Sequence, residues 1–244
     1  MGRRRGVEER GAIDALRETL CPHGTLRAVI NLGNPVLVQG TPDAPTGVTV
    51  DIATELARRL GVDLELRPVG AARDSYAALV DTEVDLGFLA VEPAREAGVR
   101  FTRLYVGIEG VFAVRPGSTT VVIDDVDVAG TTIAVRRGSA YDLYLTRTVR
   151  NATIVRGDEV IDVFVDQHLD VLSGVRQPTE QLAQAHGLRV LEPAFQAIRQ
   201  ALAVPRERGA RVVELLDDVV EDLKKSGFVA DSLRRAGQVA SVPE

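Results

Sequence analysis

The chain has 244 residues, of which 45% are hydrophobic and 26% charged, enough apolar material for one large or two small globular domains. The net charge of −6, the interspersed acidic and basic residues, and a content of four tyrosines, six phenylalanines and no tryptophan argue against a nucleic-acid surface. Cys21 is the single cysteine and the three histidines lack ligand spacing, so we expect no disulfide, no metal and no cofactor.

The N-terminal segment gives conflicting indications. The three arginines at positions 3–5 resemble the positive region of an export signal, but the charged stretch that follows lacks the apolar run such a signal needs. We predict instead an amphipathic helix, with Ile13, Leu16 and Leu20 on one face, in a helical extension over residues 1–23. As written, the chain is expected to be cytoplasmic, unless an export segment has been cut away.

The next segment predicts a β-α-β-α-β order. Residues 24–33 indicate a strand buried on both sides, which ends in a loop that contains Asn31 and Asn34. These amides are candidates for ligand binding, because ligands bind at the carboxyl ends of strands in open α/β sheets; turn formation explains them equally well. The elements that follow are a helix ending before Gly61, a strand over 62–66, a short helix capped by Asp74 or Ser75, and a buried strand over 84–91.

A second unit of the same kind is predicted after Pro116. It contains strands over 131–135, 153–155 and 169–173, and helices from about 140 to 148, 158 to 165 and 179 to 186. The chain then returns through an apolar strand over 197–204, closed by Pro205, to a helical tail broken at Gly227. This order predicts an α/β protein with two lobes, each a mostly parallel sheet flanked by helices.

The stretch over residues 84–112 combines a buried strand, a Glu92-Pro93-Ala94-Arg95 turn, and Phe101-Thr102 followed by Tyr105. It resembles the type II solute-binding proteins of bacterial ABC uptake systems, the amino-acid-binding family 3. That resemblance implies two lobes, with lobe 1 at 24–113 and 203–244 and lobe 2 at 114–202. It also implies two hinge crossovers, near 111–115 and 202–205, that allow the lobes to close on a ligand.

The resemblance also assigns roles to individual residues. Arg95 is expected to hold the ligand carboxylate, since a guanidinium matches a carboxylate with two parallel hydrogen bonds; the alternative is a solvated arginine. The segment Ser139-Ala140-Tyr141 is expected to donate to the same carboxylate from lobe 2, although Ser139 could equally be a simple helix cap. Phe88, Tyr105 and Tyr141 are candidate cleft walls, with core packing as the alternative.

One position departs from the family. Amino-acid binders place at the end of a lobe 2 strand an aspartate that meets the ligand's amino group, and in this chain Val175 stands there. Arg176 follows, and is a candidate ligand residue that would bring a second positive charge to the cleft. Glu109 either replaces that aspartate or pairs with an arginine. A ligand with two acidic groups, or one whose amine meets Glu109, therefore stands as an alternative equal to an ordinary α-amino acid. Arg199 and Gln200 are weaker candidates.

The leading hypothesis is a monomeric, non-enzymatic solute-binding protein that takes a small carboxylate-bearing metabolite to an ABC permease or a signalling partner. An alternative is an enzyme on the same scaffold, similar to cyclohexadienyl dehydratases, in which Glu109 would be the general acid. A third is a cytoplasmic ligand sensor. The residues themselves do not decide between transport and sensing.

Overall fold

The computed structural model describes the backbone of residues 2–244 and the side chains of residues 11–244, so the side chains of the arginines at 3–5 lie outside the described part. It divides the chain into two compact units. Unit 1 comprises the residues up to Val106 together with Gln200–Glu244, and unit 2 comprises Gly107–Arg199. The mixed α/β class predicted from the sequence is confirmed.

Helices and strands alternate along most of the chain. The order begins with α1 (Gly2–Leu20), β1 (Thr25–Asn31), β2 (Gln39–Thr41), β3 (Ala44–Thr46), α2 (Val48–Leu60), β4 (Asp63–Val69), α3 (Ala72–Val80), β5 (Gly87–Ala90) and β6 (Val99–Val114). It continues with β7 (Thr132–Arg136), α4 (Ala140–Thr148), β8 (Thr153–Gly157), α5 (Val160–Asp166), β9 (Val171–Val175), α6 (Arg176–His186), β10 (Arg189–Val190), β11 (Gln196–Pro205), α7 (Ala210–Lys225) and α8 (Phe228–Arg235).

The unit boundaries lie inside two long strands. The 16-residue β6 passes from unit 1 to unit 2 after Val106, and β11 returns after Arg199. The predicted lobe boundaries, at 113/114 and 202/203, lie further along the same two strands. The assignment of the lobes therefore stays a prediction, with both crossovers inside regular strands.

Unit 1 is built on parallel pairing of β1 with β4, from Thr25 opposite Asp63 to Asn31 opposite Val69. Helix α2 buries one apolar stripe, and Gly61 ends it in the left-handed conformation (φ 64°) that favours glycine. The strand β5 pairs antiparallel with β11. A side chain at Gly87 in β5 would collide with Leu79, its Cβ only 2.7 Å from that side chain, so this strand packs closely against α3.

A buried carboxylate connects several parts of unit 1. Asp85 accepts hydrogen bonds from the Arg27 guanidinium at 2.9 and 2.7 Å, and it also pairs with Arg208. Arg208 in turn donates to the carbonyl oxygen of Thr19 at 2.6 Å, at the end of α1. Leu16 and Leu20 of α1 are buried. The predicted amphipathic face of this helix is therefore packed within unit 1.

Unit 2 has β7 at its centre, parallel to both β8 and β9, while β6 pairs antiparallel with β9 and β10. Its core includes Phe164, Leu169 and Leu172. The predicted start of α6 at Thr179 is wrong, since the helix begins at Arg176. Pro178 lies in the first turn, where the missing N–H costs no intrahelical hydrogen bond.

One further prediction needs correction in unit 1, and one feature there was not predicted. Neither Asp74 nor Ser75 caps α3, which begins after Ala71 without a side-chain cap. The antiparallel pair β2 and β3 was not predicted, because each strand is only three residues long. Within the described part of the chain, no helix combines the length and the apolar character needed to cross a bilayer.

Candidate functional site

The loop after β1 uses its side-chain amide oxygens for its own turn. The Oδ1 atom of Asn31 accepts from the Gly33 N–H at 2.9 Å, and that of Asn34 accepts from the Val36 N–H at 3.3 Å. Both side chains therefore stabilise the turn, which was the alternative to ligand binding considered from the sequence. Since each oxygen serves the turn, the amide nitrogens are what these side chains can offer a ligand, as hydrogen-bond donors.

Arg95 ends a one-turn 3-10 helix over Pro93–Arg95 and is only 3% exposed. Its Nη1 donates to the carbonyl oxygen of Ala90 at 2.9 Å, and its backbone N–H donates to the carbonyl oxygen of Glu92. Burial lowers the pKa of Arg95 to about 10, and the negative charge of Glu92 acts in the opposite direction. The interpretation of Arg95 as a solvated surface arginine is therefore wrong, whereas its ligand contact stays a prediction.

Phe88 and Tyr105 are both buried in unit 1 and contact each other edge to face, with ring centroids 5.9 Å apart. Burial raises the pKa of Tyr105 strongly, and proximity to the Thr49 hydroxyl opposes the rise. Among the described residues, neither the Tyr105 hydroxyl nor the Thr49 hydroxyl has a hydrogen-bond partner, so the contact between these two groups is weak. Core packing, the alternative considered for both rings, is what the contacts show.

The turn before α4 is confirmed as the start of a helix. The Ser139 Oγ accepts from the Asp142 N–H at 3.0 Å, and the Asp142 carboxylate accepts from the Gly138 N–H at 2.8 Å. Ser139 is therefore a helix cap. Tyr141, two residues further on, is buried, and its burial raises the pKa of its hydroxyl to about 12. Within the described residues, the backbone N–H groups of Ala140 and Tyr141 have no acceptor.

Arg176 lies at the centre of an acidic cluster in unit 2. It pairs with Glu109, with Glu180 at 3.2 Å and with Glu192 at 2.9 Å, and all three glutamates are exposed. These carboxylates raise the pKa of Arg176, and Arg176 lowers that of Glu192. Of the two interpretations of Glu109, pairing with an arginine is the one present. Three carboxylates around one guanidinium leave excess negative charge.

Several of these partners were not predicted from the sequence. Glu180 follows Arg176 by four residues, a spacing that brings two side chains together on one face of a helix. This signal was missed because the predicted helix began at Thr179 and so did not include Arg176. Glu192 is sixteen residues away and gave no local signal. Glu92 did give a local signal, because it is a charged residue at the end of a predicted buried strand and lies three positions before Arg95. Gln200, a weaker candidate, is buried opposite Ala90.

An open groove of about 600 Å³ also lies on unit 1. It is formed by Val80, Thr82, Ala97, Gly98, Arg100, Pro205, Arg206, Glu207 and Gly209. None of the predicted ligand residues contributes to it. Among the described residues, no group of three His, Cys, Asp or Glu side chains is suited to hold a metal ion.

Comparison with known proteins identifies the family. The model of the bacterial extracellular solute-binding proteins, family 3, matches residues 28–236. The L-cystine-binding protein TcyJ of Escherichia coli is 24% identical over 208 residues, covering 79% of this chain and 74% of TcyJ. The membrane-bound lytic murein transglycosylase F of Vibrio cholerae is 37% identical over 79 residues, 32% of this chain but only 14% of that protein.

Solved structures share the fold at lower identity. The amino acid ABC transporter substrate-binding protein AbpA from Streptococcus pneumoniae, bound to L-arginine, has a TM-score of 0.73 at 19% identity, over 90% of this chain and 97% of AbpA. An ancestral amino-acid-binding protein, AncCDT-1, a precursor of cyclohexadienyl dehydratase, has a TM-score of 0.73 at 18% identity, over 91% and 98%. The fold is that of the two-lobed periplasmic binding proteins.

Proposed function

Because this chain belongs to the bacterial extracellular solute-binding proteins, family 3, we propose that it binds a small amino-acid-like metabolite through its carboxylate, for ABC-type uptake or for sensing. The observation that carries the proposal is the family match, which spans residues 28–236 and so includes every proposed ligand contact. Relatives that bind L-cystine and L-arginine support an amino acid as the ligand class.

In unit 1, we propose that Arg95 receives the carboxylate and that Asn31 and Asn34 add amide donors. The guanidinium is held in place by the Ala90 carbonyl oxygen, so its orientation is set before a ligand arrives. Its burial supports the assignment, because a charge-assisted hydrogen bond is stronger in a desolvated environment than on a surface.

In unit 2, we propose that the backbone N–H groups of Ala140 and Tyr141 donate to the same carboxylate. They belong to the first turn of α4, where donors lack intrahelical acceptors and attract anions. The Ser139 and Asp142 side chains shape this turn. A ligand that takes contacts from both units favours their closure, which predicts a smaller radius of gyration with saturating ligand in small-angle scattering.

We propose that the ligand's amino group meets the acidic cluster of unit 2 rather than an aspartate at the position of Val175. Glu109 is exposed and shares Arg176 with Glu180 and Glu192, so one carboxylate can turn to an ammonium group while the others keep Arg176 paired. This arrangement favours a zwitterionic or cationic ligand.

The test is isothermal titration calorimetry of the twenty amino acids and L-cystine against the wild-type chain and two variants. Arg95→Met is expected to lose binding by at least about a hundredfold, since it removes a charge-assisted double hydrogen bond. Arg103→Met is the matched control, because Arg103 is an exposed arginine of the same unit. Unchanged affinity of Arg95→Met would remove Arg95 from the site.

A second candidate is an enzyme similar to cyclohexadienyl dehydratases, favoured by the likeness to AncCDT-1. Glu109 would then be the general acid, although it is exposed and paired with Arg176. Incubation with prephenate or arogenate separates the two functions: loss of the substrate supports the enzyme, while binding of amino acids without turnover supports the binding protein.

A further inference from the structure

Glu92 is a buried acid that stands directly beside the candidate ligand arginine. It is 2% exposed, against 3% for Arg95, and precedes the same one-turn helix. The Arg95 N–H donates to the Glu92 carbonyl oxygen at 2.9 Å, which closes the turn. Both side chains are therefore buried, at the two ends of one short turn of unit 1.

The electrostatic consequence follows from burial. A guanidinium that is withdrawn from water needs a compensating charge, because desolvation penalises its charged form. Burial is the main influence on Arg95, and Glu92 is the main one that stabilises its cation. Arg95 is thus compensated from within the protein. A ligand carboxylate arriving at Arg95 adds a second negative charge near Glu92.

We infer that Glu92 is a specificity-determining residue, which supplies negative charge at Arg95 from the protein and so makes this part of the site tolerate an uncharged ligand group. The inference rests on the proposed function, in which Arg95 receives the ligand carboxylate. It predicts discrimination against ligands that bring two carboxylates to this segment, and weak discrimination between a carboxylate and its amide.

The experiment compares an acid with its amide, using L-arginine with L-argininamide and L-lysine with L-lysinamide as probes. Calorimetry gives the ratio of amide Kd to acid Kd for the wild type, for Glu92→Gln and for the control Glu96→Gln. Glu96 is an exposed carboxylate at the end of the same turn. Glu92→Gln is expected to raise the ratio by about tenfold, because the ligand carboxylate then supplies negative charge that Glu92 no longer provides.

The ratio in Glu96→Gln is expected to equal that of the wild type. Equal ratios in Glu92→Gln and the wild type would overturn the inference, even if Arg95→Met loses binding as proposed. Conversely, wild-type affinity of Arg95→Met for the acids would show that the proposed site is wrong. The two failures are therefore distinguishable.

A second measurement does not depend on a ligand. Thermal unfolding of Glu92→Gln, Arg95→Met and the double variant forms a cycle that reports their coupling. We expect each single variant to lower the unfolding midpoint and the double variant to lower it by less than their sum. Additive shifts would show that Glu92 does not compensate Arg95, and would overturn the inference even if neither probe binds.

Discussion

Arg95 of unit 1 and Arg176 of unit 2 are arginines of opposite environments. Arg95 is almost completely buried, contacts a backbone carbonyl oxygen and has the charge of Glu92 nearby. Arg176 is partly exposed and is paired with three glutamates that are themselves exposed. Burial lowers the pKa of Arg95, whereas the carboxylates raise that of Arg176.

The number of ion pairs is therefore a poor measure of what an arginine contributes to stability. Exposed pairs are screened by water and salt, so the three partners of Arg176 contribute little each. A buried arginine is sensitive to the loss of a compensating charge, because its own charge is then left less compensated in a low-dielectric environment. The buried arginine is therefore expected to matter more for stability than the exposed one.

The largest expected effect is that of Arg95→Met on stability. The substitution removes a cation beside the buried Glu92, which is expected to lower the free energy of unfolding by about 3 kcal/mol. Urea titration of the wild type and the variant measures the difference. Arg103→Met is expected to change it by about 0.5 kcal/mol or less, as for an exposed side chain. A loss below about 1 kcal/mol for Arg95→Met would mean that the two arginines do not differ as their burial implies.

Arg176→Met is expected to have a smaller effect, a loss of about 1 kcal/mol or less in the free energy of unfolding. The loss combines screened attractions with the mutual repulsion of the three glutamates that remain. Because these charges are exposed, raising the salt concentration is expected to reduce the effect. If Arg176→Met lowered the free energy of unfolding as much as Arg95→Met does, and independently of salt, the Arg176 cluster would behave like a buried ion pair.

The smallest effect is expected for Glu192→Gln, and it depends on pH. Arg176 lowers the pKa of Glu192, so folding favours its charged form. The contribution is therefore present above the unfolded pKa, about 4.3, and is lost as the pH falls through the lower folded value. Unfolding curves of the variant and the wild type should differ slightly at about pH 7 and converge as the pH falls below the folded pKa of Glu192. Curves that diverge at acid pH would mean that folding raises the pKa of Glu192 instead.

The sequence predicted best those elements that carry their own boundary signals. Helix α2 ends at Gly61 as expected, because glycine adopts the left-handed conformation that closes a helix. Helix α4 begins at Ala140 as expected, and the alternation of strands and helices predicted the α/β class. In each case the signal lies within a few residues of the feature it specifies.

The interactions around the candidate site were harder to predict, because they join residues distant in sequence. Glu192 reaches Arg176 across sixteen residues and a separate strand. The proposed role of Glu92 depends on the burial of its side chain and that of Arg95, which spacing alone does not reveal. The resemblance to a family identified Arg95 but gave no information about its internal counter-charge.

The anchoring of helix α1 has a consequence for where this protein can be cut. The family match starts at residue 28, but the Arg208 guanidinium is bound to the Thr19 carbonyl oxygen and Leu16 and Leu20 are packed inside unit 1. A chain trimmed to the family boundary would leave Arg208 without that acceptor and open an apolar surface to solvent. We therefore expect the stable folded unit to include α1, which lies before the start of the family match.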